Sequence, residues 1–250
     1  MGFDAIAQYR QHQVFKDYYT PRAIGNERIS QRIYVGVGKH FINGSAKLHY
    51  IGPDSSGTRQ IDTNIDTKVR AKHSFVVYGG TFFPIALISD QSIIAFSVEF
   101  LGSYNDLTLD SVVFRPGEIY KKSESIVMLG VPLSIDFKTG GDVSLSKAQR
   151  GMFGIGGGVL AGGTSSYVDK TAQAPFKFIP FIKAEVGYFA GIAFKLRAVA
   201  YFGDANFIDR VTGNIYGNDQ LFTTVKSGYG FQVSLNILPF SYGWRTEEWY

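Results

Sequence analysis

Six charged residues occupy alternate positions in stretches of the sequence that are otherwise rich in apolar residues. They are Glu99, Asp136, Lys183, Glu185, Lys195 and Arg197. Successive side chains of an extended chain point to opposite faces, so each of these charges lies opposite an apolar face. Three acids and three bases can pair where water is excluded, because pairing offsets much of the desolvation penalty. The set predicts a buried ion-pair network in a barrel lumen; solvated surface charges are the alternative.

Two other segments partly match the sequence patterns of known ligand-binding sites. Residues 62–66, DTNID, have the alternate oxygen ligands that open a calcium loop, but the required glycine and closing glutamate are missing. Residues 156–161, GGGVLA, match a dinucleotide-binding fingerprint, yet no helix-forming segment follows them. We interpret the first segment as a polar loop and the second as part of a strand.

Residue types suited to catalysis or metal binding are dispersed or missing. The four histidines, at 12, 40, 49 and 73, do not have the spacing of a ligand pair, and the sequence contains no metalloprotease, nucleotide-binding or nucleophilic-serine motif. The chain has no cysteine, which excludes disulfides, thiolate metal sites and cysteine nucleophiles. The sequence therefore predicts no cofactor, no metal and no enzymatic activity.

The six charges belong to segments with the two-residue period of β-strands. Eight strands are predicted, and most reach the roughly 9–11 residues that a tilted strand needs to cross a bilayer. They lie near residues 31–41, 74–87, 91–104, 125–138, 151–164, 177–188, 191–204 and 227–239. Long connections, at 42–73, 105–124, 165–176 and 205–226, alternate with shorter ones. This alternation is typical of an up-and-down outer-membrane barrel with its long loops outside the cell.

The alternation within a strand does not say which face lies inside. In a soluble barrel Phe96 and Phe100 would pack into a core, whereas in a membrane barrel they would contact lipid and Glu99 would face a polar lumen. The strand lengths, the sorting of the loops and the balanced charges favour the membrane barrel. In the strand at 151–164, glycines 154, 156, 158 and 162 share one face, which leaves room for long charged side chains.

Composition limits the remaining possibilities. The 250 residues include 21 Phe, 15 Tyr and 29 Gly, which is typical of a strand-rich protein. The net charge of +4 comes from scattered residues, so no nucleic-acid-binding surface is predicted. The first ten residues lack the basic and apolar regions of a signal peptide, which indicates either a cytosolic protein or a chain numbered from its processed end.

The strand pattern, the alternating loops and the segment SGYGFQVSLNILPF at 227–240 resemble the small outer-membrane β-barrel family. That family includes the transmembrane domain of outer-membrane protein A and relatives common in Bacteroidota. The resemblance covers residues 30–240 and implies a location in the bacterial outer membrane. It also implies a barrel-assembly signal in the last strand, which Gly230, Phe231, Val233, Leu235 and Phe240 resemble. The family signal usually ends the chain, whereas SYGWRTEEWY follows Phe240 here.

These observations predict an all-β chain with an eight-stranded antiparallel up-and-down transmembrane β-barrel at 30–240. A periplasmic extension at 1–29, with a short helix at 4–19, precedes the barrel, and a periplasmic tail at 241–250 follows it. The expected function is binding, adhesion or assembly of an envelope complex, such as a secretion or motility machine. The expected partners are outer-membrane lipid, the barrel-assembly machinery and, through the outer loops and the two extensions, envelope proteins.

Three alternatives remain open. In the first, the six charges line a narrow ion or small-solute channel, although an eight-stranded barrel has an interior just wide enough for side chains. In the second, an outer-membrane lipid-modifying enzyme uses a serine and a histidine at the barrel rim, where His40 and His73 border the first long loop. In the third, a soluble barrel binds a hydrophobic ligand and every assigned face is inverted.

Overall fold

The structure of the chain, a computed structural model, consists almost entirely of β-strands. It describes residues 26–53, 56–89, 91–115, 118–120, 123–166, 176–213 and 220–244. The strands are β1 (Tyr34–Pro53), β2 (Gln60–Ser89), β3 (Ser92–Leu109), β4 (Val112–Arg115), β5 (Glu118–Tyr120), β6 (Ser123–Gly140), β7 (Gly151–Ser166), β8 (Lys177–Ala190), β9 (Ile192–Gly213) and β10 (Gln220–Leu238). A helix α1 (Gly141–Ser144) and 3-10 helices at Asn26–Arg32 and Pro239–Gly243 also lie in these ranges. Within the described residues, no helix has the length and hydropathy to cross a membrane.

Eight of the strands form a closed antiparallel barrel. The order around the barrel is β1, β2, β3, β6, β7, β8, β9 and β10, and β1 pairs with β10 to close it. Strands β4 and β5 form a separate two-stranded sheet in the connection between β3 and β6. Closure removes the unpaired sheet edges, as a strand protein in lipid requires. The predicted fold class, an eight-stranded antiparallel up-and-down barrel, is confirmed.

Several strands extend well beyond their predicted boundaries. Strand β2 has 30 residues, β9 has 22 and β1 has 20, against the roughly 9–11 needed to cross a bilayer. Strands β1 and β2 remain paired from Asn43 opposite Arg70 to Pro53 opposite Gln60. The prediction of a long loop at 42–73 is therefore wrong, because most of these residues continue the barrel wall. Strands β9 and β10 likewise occupy most of the predicted loop at 205–226.

The two ends of the barrel differ in their outer surfaces. We call the end with the β2–β3 and β8–β9 turns the lower end. In the lower barrel, exposed Val, Ile, Leu and Phe side chains surround the wall; Phe100 is 70% exposed and Leu129 is 65% exposed. We call these side chains the lipid belt, because the hydrocarbon of a bilayer requires such an exterior. The soluble-barrel alternative needs the opposite faces and is contradicted.

Above the lipid belt the exposed side chains become polar. We define the upper barrel as β1 from Asn43, β2 up to Lys72, β3 from Asp106 and β10 up to Lys226. On β2, for example, the exposed residues of this part are Asp62, Asn64, Asp66, Lys68, Arg70 and Lys72. The upper barrel therefore stands outside the hydrocarbon, in water.

Side chains fill the lumen in layers. The lowest layer is apolar and includes Phe82, Ile93, Val143, Phe189 and Trp244. Charged residues lie above it in the middle layer. Further up, apolar side chains such as Leu107, Met128, Leu160 and Phe181 share the interior with buried polar ones, among them His40, Asn105 and Gln232. Buried side chains thus fill the lumen both below and above the charged layer.

The lower end is closed by segments that lie outside the strands. Trp244 stacks on Phe189 with ring centroids 5.5 Å apart and an interplanar angle of 21°. The Ser241 hydroxyl accepts a 2.8 Å hydrogen bond from the Ala193 N–H. The first residues of the predicted tail therefore pack into the barrel floor. Residues 1–25, with the predicted helix at 4–19, and residues 245–250 lie outside the described ranges.

Glycines with positive φ shape two of the lower connections. Gly191, with φ +85°, forms the tight turn between β8 and β9. Gly140 has φ +104° and precedes α1, and a Cβ at this position would collide with the Gly151 carbonyl oxygen. Because only glycine adopts this conformation easily, the chain can fold inward after β6 and place α1 under the lumen.

Candidate functional site

Eight charged side chains form one buried network in the middle layer of the lumen. They are the acids Glu99, Asp136, Asp142 and Glu185 and the bases Lys138, Lys183, Lys195 and Arg197. None is more than 5% exposed. Four charges of each sign balance one another, so pairing can compensate the removal of these groups from water. All six charges selected from the sequence belong to this network.

Glu99 is the acceptor at the centre of one half of the network. Its Oε1 accepts hydrogen bonds from Arg197 Nη2 at 2.6 Å, from Lys183 Nζ at 2.9 Å and from the Tyr34 hydroxyl at 2.6 Å. Lys183 Nζ also lies 2.9 Å from Asp136 Oδ2. These contacts connect β1, β3, β6, β8 and β9 through side chains, in addition to the backbone ladders.

Glu185 is the acceptor at the centre of the other half. Its Oε2 lies 2.8 Å from Lys138 Nζ and 3.6 Å from Lys195 Nζ. Its Oε1 lies 3.5 Å from Arg197 Nε. Lys195 also pairs with Asp142 on α1. Because Arg197 contacts both Glu99 and Glu185, the two halves form one continuous network.

Strand register determines which of these charges meet. The turn at Gly191 aligns Glu185 directly opposite Arg197. Lys195 is diagonal to Glu185, a distance that long side chains can span. Lys183 lies opposite the apolar Val199, so its acidic partners come from β3 and β6 instead.

Strand β7 supplies space for the network rather than charge. Gly156 is the register partner of Asp136, and Gly154 is the partner of Lys138. A Cβ at position 156 would collide with the Asp136 carboxylate, and one at 154 would lie 3.5 Å from Glu185 Oε2. Larger residues on this face of β7 would therefore displace the ion pairs.

Aromatic rings surround the cations of the network. Lys138 Nζ and Lys195 Nζ lie 4.8 Å and 5.5 Å from the centroid of the Phe82 ring. The Arg197 guanidinium carbon lies 4.9 Å from the centroid of Tyr78 and 6.0 Å from that of Tyr34. Such cation–π contacts are stronger when the cation is desolvated. The rings also fill space that water or ions would need for passage.

Two members of the network were missed from the sequence. Lys138 follows Asp136 at i+2 and shares its face, so the two-residue alternation contained the signal. Asp142 lies beyond β6 on α1, and it enters the lumen because the chain turns inward at Gly140. Strand periodicity does not extend past the strand end, so it could not identify Asp142.

Residues considered for other chemistry lie apart from one another. The His40 ring is buried in the lumen with its centroid 5.3 Å from that of Tyr201, while His73 is exposed on the outer surface. The two histidines do not border a loop, contrary to the sequence expectation. Asp62 and Asp66 lie along the exposed face of β2, where an extended backbone spreads their oxygens apart. In the ranges that the structure describes, no three His, Asp or Glu side chains are arranged to hold a metal ion.

The residues that resemble a barrel-assembly signal lie at the end of β10 and just beyond it. Phe231 and Leu235 are 45% and 49% exposed, and Val233 lies between them on the same outer face. Gly230 faces the lumen, where an added Cβ would lie 2.9 Å from His40 Nε2. Phe240 is exposed on the 3-10 helix that follows the strand.

The arrangement can stabilise the barrel and obstruct its lumen. Each acid contacts bases from other strands, so the network cross-links the wall. Removing one partner from a buried ion pair leaves an uncompensated charge and costs about 3–5 kcal/mol. An ion entering this layer would have to separate paired charges and leave some of them uncompensated.

No family model and no curated protein match the sequence. Among solved structures, the chain is similar to the outer membrane protein OprG from Pseudomonas aeruginosa, with 11% identity, 82% of this chain and 94% of that chain covered, and a TM-score of 0.45. It is also similar to the outer membrane protease OmpT from Escherichia coli, with 7% identity, coverage of 82% and 96%, and a TM-score of 0.35. A third is Ail, the attachment invasion locus protein of Yersinia pestis, with 8% identity, coverage of 80% and 99%, and a TM-score of 0.18. Similarities this weak do not transfer a function to this chain.

Proposed function

We propose that the protein is a bacterial outer-membrane barrel with a plugged lumen that acts in binding, adhesion or assembly of an envelope complex. The closed charge network of the middle layer carries this proposal. Its eight charges contact one another across the lumen, and buried side chains fill the lumen above and below them. The charges therefore seal the barrel in this proposal, instead of lining a channel.

The exterior supports the membrane location. A closed antiparallel barrel with a continuous apolar belt has the features of outer-membrane barrels. The upper barrel then projects from the membrane and offers a rigid, polar surface to other molecules. Residues 1–29 and 241–250 would add contacts for an envelope complex on the opposite side.

The proposal includes no catalytic role. The charged groups of the middle layer pair with one another and are buried from solvent. His40 and His73, the histidines of the lipid-modifying alternative, lie on opposite faces of the wall.

Conductance in planar bilayers tests the plugged lumen. The purified full chain should show little steady conductance under conditions in which a general porin conducts. Replacement of one central acid by Glu99→Gln should not create an ion-selective pore, because the side chains that fill the lumen above and below remain. Stable conductance in the unmodified protein, with a selectivity that changes in Glu99→Gln, would support the narrow channel instead.

Labelling of intact cells tests location and orientation. A membrane-impermeant maleimide should label Ser56→Cys, in the β1–β2 turn, and should label Gln91→Cys, in the β2–β3 turn, only after the envelope is opened. Both variants replace exposed turn residues, so they are matched for accessibility. Labelling of Gln91→Cys alone on intact cells would invert the orientation.

Photo-crosslinking tests the binding role. A photoreactive residue at Ser56 should join the chain to another surface or envelope macromolecule on living cells, whereas one at Phe100 in the lipid belt should join it to lipid. If Ser56 and a second upper-barrel position, Asn64, yield no macromolecular product, the binding role is contradicted while the location is unaffected.

A further inference from the structure

Basic side chains lie on the outer surface of β10, β1 and β2 at the upper boundary of the lipid belt, four of them above the aromatic residues Phe41 and Phe75 and Lys39 just below Phe41. The cluster consists of Lys39, Lys68, Arg70, Lys72 and Lys226. Strand register brings Lys226 and Lys68 to one level, because Ser45 of β1 has Lys226 on one side and Lys68 on the other. Lys39 lies six residues before Ser45, roughly 20 Å lower along the strand. In the described part of the chain, none of the five forms an ion pair. We call this group the basic cluster.

The basic cluster has few acids around it. Asp66 lies opposite Lys47 on the β1–β2 ladder, and Asp106 lies opposite His73 on the β2–β3 ladder. A third acid, the exposed Asp110, lies beside Lys68, because its N–H donates a 3.1 Å hydrogen bond to the Lys68 carbonyl. Five bases against three acids leave the cluster with a net positive charge, in contrast to the balanced network inside the lumen.

Aromatic residues place the basic cluster at the membrane surface. Phe41 is the register partner of Phe231, with ring centroids 6.3 Å apart, and Phe75 is the partner of Tyr104. A row of exposed aromatic rings is typical of the level where hydrocarbon meets headgroups. Lys39 Nζ lies 5.3 Å from the centroid of the Phe41 ring. The cluster is thus at the height of lipid phosphates.

A groove in the lipid belt lies below the basic cluster. It is open to the outside, has a volume of about 860 Å³ and is lined by Val35, Val37, Val77, Phe100, Leu129 and Val131. Gly79 and Gly102 form its floor, because they carry no side chain on the outer face. Pockets that hold small ligands have volumes of roughly 300–1,000 Å³. Lys39 follows Val37 at i+2 on the same outer face, so the cluster and the groove are continuous.

We propose that the outer wall binds one lipid of the outer leaflet with an anionic phosphate headgroup, its phosphate on the basic cluster and an acyl chain in the groove. The proposal rests on the membrane location proposed above. Lysine and arginine form strong charge-assisted hydrogen bonds with phosphate oxygens. An acidic soluble partner would satisfy the charges, but it would leave the adjoining groove inside the bilayer unused. A lipid can place its phosphate on the basic cluster and an acyl chain in the groove at the same time.

Spin-labelled lipids test the headgroup. The full chain is reconstituted in phosphatidylcholine vesicles with a trace of phosphatidic acid or phosphatidylcholine carrying a nitroxide near the chain end. The motionally restricted fraction then gives the relative association of the two lipids. We expect phosphatidic acid to be favoured at least about fivefold at low salt, since each basic residue near a membrane surface contributes about 1 kcal/mol.

Matched charge variants assign that preference to the basic cluster. The double variant Lys68→Gln/Arg70→Gln should lose most of the preference. The control Lys147→Gln/Arg150→Gln removes the same charge between β6 and β7 at the lower end and should keep it. Equal association of the two lipids with the unmodified protein, or equal loss in both double variants, would overturn the headgroup site.

Groove variants test the acyl chain. A Cβ at position 102 would lie 3.5 Å from Leu129 and 3.6 Å from Val77, which is ordinary contact, so Gly102→Leu should fold while it fills the groove. It should reduce the restricted fraction of phosphatidic acid by about half and leave binding of inorganic phosphate unchanged. If inorganic phosphate displaces the lipid at equal concentration and Gly102→Leu has no effect, the surface is a phosphate site and the lipid proposal is wrong.

The test separates this inference from the proposed function. Only protein that migrates as a compact, heat-modifiable barrel is used, so insertion is established before lipid preference is measured. A folded barrel without lipid preference contradicts the lipid site alone. Failure to insert into any vesicle contradicts the membrane location and, with it, the lipid site.

Discussion

The outer face of the barrel is apolar in the lower part and polar in the upper part, although the same strands run through both parts. Along β1, Val35 and Val37 point outward below the aromatic row, while Asn43 and Lys47 point outward above it. Inside the barrel the order is reversed, with charges in the middle layer and apolar side chains such as Leu48 in the upper barrel. The comparison teaches that alternation defines the faces of a strand, whereas the surrounding medium decides which face is polar.

The two parts are stabilised by different forces. In the upper barrel, Leu48, Tyr50, Val112 and Leu221 form a buried apolar cluster, with Ile61 and Ile65 packed against it. With water outside and apolar side chains inside, the upper barrel resembles a soluble barrel. The hydrophobic effect is the main force that stabilises such a barrel. In the lower barrel, apolar side chains form the outer face and ion pairs occupy much of the interior.

Accessibility should give the largest difference between the two regions. Single cysteines at Val98 and Leu196 in the lipid belt should react with a lipid-soluble maleimide and resist a water-soluble one in native membranes. Cysteines at Ser45 and Lys68 in the upper barrel should react readily with both. Fast reaction of Leu196→Cys with the water-soluble reagent would show that the belt does not contact lipid.

Removing a charge from the middle layer should be the most destabilising substitution. Arg197→Ala removes the one base that Glu99 and Glu185 share and leaves four buried acids with three bases. It should lower the free energy of unfolding by about 3–5 kcal/mol, because one buried negative charge is no longer compensated. Denaturant unfolding in detergent micelles or vesicles measures this change. Lys47→Ala, an exposed charge of the upper barrel, serves as the control and should change stability by less than about 0.5 kcal/mol. Similar effects of the two substitutions would mean that the buried pairs contribute little.

Truncating the apolar interior of the upper barrel should have the next largest effect. Leu48 is 1% exposed, so Leu48→Ala should lower the free energy of unfolding by about 2–5 kcal/mol through lost burial and a cavity. The exposed neighbour Lys47→Ala again provides the reference. A negligible change for Leu48→Ala would indicate that the upper barrel is not packed around this cluster.

Adding a charge to the lipid belt should be destabilising by a somewhat smaller amount. Leu196→Arg lies near the middle of the belt and should lower the free energy of unfolding in vesicles by about 2–4 kcal/mol. Thr224→Arg, on the upper part of β10, should change it by less than about 0.5 kcal/mol. If both arginines are tolerated equally, the boundary between the two regions has been placed incorrectly.

The errors in the sequence prediction lie mainly in the upper barrel. The stretch at 42–73 contains Asp62, Asn64 and Asp66, and a polar stretch of this kind is typical of a loop. These side chains are the exposed face of β2, while Ile65 and Val69 of the same strand turn inward. Because strands outside the membrane have the polar face that loops also have, composition does not distinguish the two. The observed pairing of this stretch with β1 identifies it as a strand.

The sequence by itself determined the strand alternation, the number of barrel strands and the six charges that share the inner face. These features follow from local geometry, since side chains two residues apart lie on one face whatever the strand pairs with. Tertiary structure alone decided the partners of those charges, the entry of Asp142 and the groove beside the basic cluster. Each of these depends on the register between strands or on barrel closure, which brings together residues as distant as Tyr78 and Ser234. No regular spacing in the sequence relates the residues of such contacts, so the sequence pattern could not predict them.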